Sequence, residues 1–152
     1  MAEESLTVKT SSDFLDEQRI PLRLACLTTS GWPIVLSLWF TRIDSRLWCA
    51  TQETAKVIDY LRADPRCAFE VAPETPPYRG VRARADALLH KDRGEEILRI
   101  LLGRYQGGVD TPLARRLLAR TDTEVAIEIV PHTLHTWDYS ARMRRQPGGE
   151  LP

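Results

Sequence analysis

From Leu22 onward, apolar and polar positions alternate with a period of two. Leu22, Leu24 and Cys26 share one face, and Arg23, Ala25 and Leu27 the other. That is the signature of a strand with one buried side. Ser30-Gly31-Trp32-Pro33 reads as a turn, after which alternation resumes from Ile34 to Arg42. Ile34, Leu36, Leu38 and Phe40 point one way; Val35, Ser37, Trp39 and Thr41 point the other. Asp44-Ser45-Arg46 marks a second turn, and Leu47 to Thr51 predicts a third short strand. Three strands joined by tight turns predict an antiparallel meander. A fourth strand is expected over Cys67 to Val71 and a long fifth over Arg79 to His90, with a small-residue face of Val81, Ala83, Ala85 and Ala87. Glu124 to Thr136 predicts the last strand, with Val125, Ile127 and Ile129 on one side.

Between these runs the period changes to that of a helix. Ser11, Ser12 and Asp13 are candidate N-caps for a short helix reaching Gln18. Thr54 is a candidate cap for a helix from Ala55 to Arg62, whose buried stripe is Val57, Ile58 and Leu61. Asp92 with Glu95 resembles a capping box ahead of Ile97, Leu98, Leu101, Leu102 and Tyr105, and Gly107-Gly108 ends that helix. Thr111-Pro112 starts one more, reaching Ala119. Six antiparallel strands with helices inserted late exclude a doubly wound sheet. They predict a mainly β, α+β fold: a closed or half-closed antiparallel barrel with flanking helices. Residues 1–143 form the expected single domain. Residues 144–152, with Pro147-Gly148-Gly149, form an expected disordered tail.

Composition narrows the classes of function. The chain has 152 residues, 43% of them hydrophobic and 28% charged, which is enough for one globular core. Its 21 basic and 21 acidic side chains balance, so no bulk attraction to nucleic acid or an anionic membrane is expected. The uncharged stretch from Ala25 to Thr41 is interrupted by Thr28-Thr29-Ser30-Gly31 and reads as two strands rather than a bilayer crossing. Cys26, Cys49 and Cys67 lie far apart within apolar runs and without a CxxC pattern, as small buried hydrophobes of a reducing compartment do. The acidic Met-Ala-Glu-Glu-Ser start has no apolar h-region, so a cytoplasmic location is expected.

Most catalytic chemistries find no residues here. His132 and His135 fall on opposite faces of a strand, a poor arrangement for chelating one metal ion. The sequence has no GxSxG, Walker or GxGxxG string, and no carboxylate pair stands out from solvated faces. One segment holds candidate chemistry. Thr51 ends a strand, and Thr54-Ala55-Lys56 opens a helix whose N-terminus presents free N–H groups and partial positive charge. Two hydroxyls and one ammonium there suit a single phosphate group. The same residues equally suit a capped helix with a surface lysine. Arg82 and Arg84 share one face of the fifth strand, either as a solvated salt-bridge face or as a positive surface beside an anionic ligand.

Several strings resemble the pyridoxamine-phosphate-oxidase-like split β-barrel family of flavin and deazaflavin proteins. They are Leu27-Thr-Thr-Ser-Gly-Trp-Pro33, Val35-Leu-Ser-Leu-Trp-Phe40, Leu47-Trp-Cys-Ala-Thr51, Thr54-Ala-Lys-Val57 and Arg62-Ala-Asp-Pro-Arg66. Pro77-Tyr-Arg-Gly-Val-Arg82 and Trp137-Asp-Tyr-Ser-Ala-Arg142 complete the set, which spans residues 13 to 143. The resemblance implies an FMN-binding type of split barrel and a homodimer with cofactor sites at the subunit interface. It implies that Val35, Leu36 and Ser37 line the flavin ring, with Trp39 on the face of Val35 and Ser37. Thr51, Thr54, Ala55 and Lys56 would form the phosphate turn, and Arg82, Trp137 and Arg142 would lie near the cofactor.

Ala55 stands where the oxidase members usually carry arginine, and Gly80 where they carry glutamine. A true pyridoxamine phosphate oxidase is therefore not expected. The resemblance points to an FMN-dependent oxidoreductase, with F420 as the alternative cofactor, that transfers hydride to or from a small organic substrate. The alternative function is a non-catalytic barrel that binds a cofactor or tetrapyrrole. A third reading is a purely structural dimer with a decayed site.

Overall fold

The computed structural model describes residues 11–143; the expected tail at 144–152 lies outside the described residues. Residues 11–17 are helical (α1). Then follow β1 (Leu22–Leu27), β2 (Pro33–Leu38), β3 (Thr41–Ile43) and β4 (Arg46–Gln52). Helix α2 (Lys56–Ala63) precedes β5 (Arg66–Val71) and the long β6 (Arg79–His90). A 3-10 turn at Lys91–Arg93 leads into α3 (Gly94–Gln106), and α4 (Pro112–Leu118) comes next. The chain ends in β7 (Glu124–Pro131), β8 (His135–Asp138) and α5 (Ser140–Met143).

All eight strands belong to one antiparallel sheet. Its order is β2-β1-β5-β6-β7-β4-β3, with β8 paired to β6 off that path. The expected meander is corrected here. β2 pairs with β1 and β3 with β4, but β2 and β3 are the two opposite edges of the sheet. Only Trp39 and Phe40 separate them, and three Cα steps reach at most about 11 Å. The edges therefore come together at that end, curling the sheet into a half-closed barrel.

The break in the second strand has a local cause. Trp39 stacks on Tyr105 of α3, with ring centroids 5.1 Å apart and planes 6° off parallel. The Phe40 N–H donates to the Tyr105 hydroxyl at 3.2 Å, and that hydroxyl donates to the Ile20 carbonyl at 3.0 Å. The ladder bond lost at Phe40 is thus replaced by a tyrosine. The last predicted strand also divides: β7 pairs with the C-terminal half of β6 and β8 with its start.

The core lies inside the curl. Leu22 and Leu24 of β1, Phe69 of β5 and Ile127 of β7 meet Val57, Ile58 and Leu61 of α2 there. On the outer side of β4 and β7, α3 packs Ile97 and Leu101 against Trp48 and Ala126. Gly94 permits that approach, since a Cβ there would sit 2.1 Å from the Glu124 carbonyl oxygen. Two expected caps are corrected. Ala55, not Thr54, is the N-cap of α2, and no side chain caps it. Arg93 precedes α3 in place of an Asp92–Glu95 box. Thr111 does cap α4, accepting from the Ala114 N–H at 3.1 Å, with Pro112 at the helix start.

Candidate functional site

Among the described residues no helix covers the outer faces of β2, β1, β5 and β6 where they adjoin, and strand register lays their outward side chains in rows. One row runs Ser37–Arg23–Glu70–Arg82–His135 across β2, β1, β5, β6 and β8. At about 4.8 Å per strand it spans roughly 19 Å. The next row is Val35–Ala25–Ala68–Arg84. Two alanines in the middle of this row, flanked by long side chains, leave a groove of ≈ 660 Å³.

The groove is electropositive. Arg23 donates to the Ser37 hydroxyl and lies 3.5 Å from Glu74. The side chains of Arg82 and Arg84 have no hydrogen bond or ion pair among the described residues, and neither has that of Glu70 between Arg23 and Arg82. Three arginines facing so few acids favour an anionic occupant.

A third row closes one end. Gly80 pairs with Trp137 of β8, and the indole ring occupies the space a Cβ at Gly80 would take, 2.8 Å away. Ala72 lies equally close on the other side, 2.8 Å from the same point. Gly80 is thus the seat of the Trp137 ring, which places that ring one row along from Arg82. The Trp137 Nε1 is buried without a hydrogen-bond partner among the described residues. Tyr139 flanks the indole with centroids 5.2 Å apart, and the exposed Arg142 lies 5.2 Å above the Tyr139 ring.

The β4–α2 turn is a second polar locus. The Ala55 N–H bonds the Gln52 carbonyl at 3.0 Å, and Glu53 N–H bonds Thr123 at 2.9 Å, which fixes the turn to β7's entry. The Thr51 and Thr54 hydroxyls and the exposed Lys56 ammonium have no partner among the described residues. With Ala55 as N-cap, the first amides of α2 are uncapped by any side chain.

The expected site residues therefore fall into groups. Val35 and Arg82 line the groove, and Ser37 lies on its edge. Leu36 faces inward against the core. Trp39 leaves the face of Val35 at the strand break and packs on α3. Thr51, Thr54, Ala55 and Lys56 form the turn, outside the groove's lining. Trp137 walls one end of the outer face, and Arg142 follows it. Arg23, Ala25, Ala68, Glu70, Arg84 and His135 also line the groove; of these, the sequence points to Arg84 as a positive surface and to His135 only as a poor metal ligand. Their outward parity was legible, but the neighbour order β1-β5-β6 was not.

No family model and no curated protein matches the chain. Solved structures do. A conserved hypothetical protein from Mycobacterium tuberculosis superposes with a TM-score of 0.75 and 22% identity, over 93% of this chain and 91% of that one. An F420 reductase gives 0.69 and 22%, over 81% and 94%. A Listeria innocua protein provisionally named pyridoxamine 5'-phosphate oxidase gives 0.62 and 15%, over 86% and 94%. These superpositions show the fold, an antiparallel split barrel.

Proposed function

We propose that this protein binds FMN, or alternatively the deazaflavin F420, at a homodimer interface and transfers hydride to or from a small organic substrate. The observation that carries this reading is a set of anion-seeking side chains without a partner among the described residues: Arg82 and Arg84 in the groove, and Lys56 with Thr51 and Thr54 at the start of α2, which no side chain caps. An F420 reductase on the same barrel supports it.

The residues fit such a group. The Ala25–Ala68 floor would let a flat ring approach the sheet, with Val35 beside it, and Trp137, one row beyond Arg82, would help exclude water. The buried Trp137 Nε1 is a donor with no acceptor among the described residues. Lys56, the two threonines and the α2 amides suit a phosphate. Because the turn lies outside the groove's lining, the reading places β2 and the turn of one protomer against the β6–β8 end of its partner. When bound, the cofactor supplies the hydride-carrying centre. The chain's part is binding, orientation and exclusion of water.

The test is titration of the purified protein with FMN and with F420, followed by reduction and exposure to candidate acceptors. Saturable binding of one cofactor and its reoxidation by an organic acceptor are expected. Absence of binding for both overturns the reading, and binding without reoxidation by any acceptor removes its hydride-transfer half.

A further inference from the structure

Cys26 and Cys67 are 41 positions apart in sequence but directly opposite in the β1–β5 ladder. Both are free thiols on the inward face, 4% and 8% exposed. Each sits next to the end of its strand, since β1 ends at Leu27 and β5 begins at Arg66. A surface hollow of ≈ 300 Å³ reaches both residues, with Arg66 and Arg84 on its rim. Cys49, by contrast, is fully buried on β4 and pairs with Ile127.

Register alone brings the pair within bridging range. Directly opposed residues of antiparallel strands have Cα atoms about 4.5 or 5.5 Å apart, according to the class of pair. Disulfides accept about 4.4–6.8 Å. The Cβ atoms of such a pair stand about 4.5–5.5 Å apart, against a disulfide mean of about 3.8 Å. Closing therefore needs a shift of about 1 Å at the end of two strands, where the ladder yields most easily. A bridge made under such strain is readily reduced again.

We propose that Cys26 and Cys67 form a reversible oxidisable dithiol site that takes a small peroxide as its oxidant. One thiolate attacks the O–O bond of hydrogen peroxide, giving a sulfenic acid and releasing hydroxide. The second sulfur then displaces the sulfenic oxygen, which leaves as water. In balance, two thiols and one peroxide give one disulfide and two waters; both sulfurs are oxidised and both peroxide oxygens are reduced. On the opposite side of the same ladder, Ala25 and Ala68 floor the groove.

Burial sets the speed. It raises the Cys26 thiol above its ordinary value and pushes Cys67 up to about 12. The thiolate is therefore scarce at neutral pH, and the reaction should be slow and accelerate about tenfold for each pH unit. The site responds to sustained rather than brief oxidation.

The experiment treats the reduced, folded full chain with hydrogen peroxide, alkylates remaining thiols under denaturing conditions, and maps peptides by mass spectrometry. A Cys26–Cys67 linked peptide with Cys49 alkylated is expected, reversed by dithiothreitol. Cys49→Ala should leave the link intact, and Cys67→Ala should abolish it. Circular dichroism of each variant before treatment verifies that it is folded. Recovery of Cys26 and Cys67 as free thiols or as separate sulfinic acids in the folded wild type overturns the proposal. So does a link that involves Cys49.

Discussion

Lys56 is the only lysine of the β4–α2 turn, and Ala55 leaves it without a neighbouring arginine. A charge-assisted hydrogen bond to phosphate contributes about 1.5–3 kcal/mol. Lys56→Ala should weaken FMN binding about 10- to 100-fold by titration, while the melting temperature of the cofactor-free protein stays put. Thr54 is exposed and is not the cap of α2. Thr54→Val should therefore lose about 0.5–1.5 kcal/mol of binding with no loss of helix stability. Gly80 behaves in the opposite way. Any side chain there meets the Trp137 ring and Ala72 at 2.8 Å. Gly80→Ala should cost about 1–3 kcal/mol in thermal unfolding and shift the tryptophan emission. From sequence, Gly80 was a departure from a family glutamine. The structure supplies the reason, which is a tertiary contact between β6 and β8 that no local pattern encodes. Trp39 shows the same limit: period-two parity put it beside Val35, but its stacking on Tyr105 overrides the parity.

At the scale of elements, the α2–β5 connection is held by Asp64. Its carboxylate accepts from the Arg66 guanidinium at 2.8 and 3.0 Å and from the Arg66 N–H at 3.1 Å. The guanidinium bonds chiefly, then the backbone bond, lower its pKa from 3.8 to about 2. A depressed carboxylate contributes stability that is present above its unfolded value and lost as pH falls through the folded one. Wild type should therefore lose stability relative to Asp64→Asn between about pH 4 and pH 2, as melting at stepped pH would record. Arg104 plays a larger part. It donates to the carbonyls of Leu15, Asp16 and Gln18 at 2.7, 3.1 and 2.5 Å, tying the end of α1 to α3. Arg104→Ala should destabilise by about 1.5–3 kcal/mol in chemical denaturation. Most elements were legible, because alternation and caps are local. The meander was not, because the split of the second strand depends on Tyr105, 65 residues further on.

At the scale of the molecule, the surface available for pairing changes with the fold. The faces Val81–Ala83–Ala85 and Val125–Ile127–Ile129 are apolar strand faces in the sequence that a partner could have covered. Both are buried within the single chain, where the curl and α2 cover them. The most exposed large apolar side chains among the described residues lie at the β2 edge. Trp32 is 75% exposed, Val35 67% and Ile34 37%. Apart from Pro33 at its start, this edge strand carries no charge or bulge that would discourage pairing. We expect a twofold dimer that covers it, with an interface of roughly 2,000 Å² or more. Covering one Val35 contributes about 1.5–3 kcal/mol, and twofold symmetry counts it twice. Val35→Lys should then weaken the dimer by about 10²- to 10⁴-fold. The barrel core should remain intact, since Val35 faces outward. Light scattering at micromolar concentration should show a wild-type dimer and a monomeric, folded Val35→Lys. A monomeric wild type at that concentration would remove both the dimer and the shared site built on it.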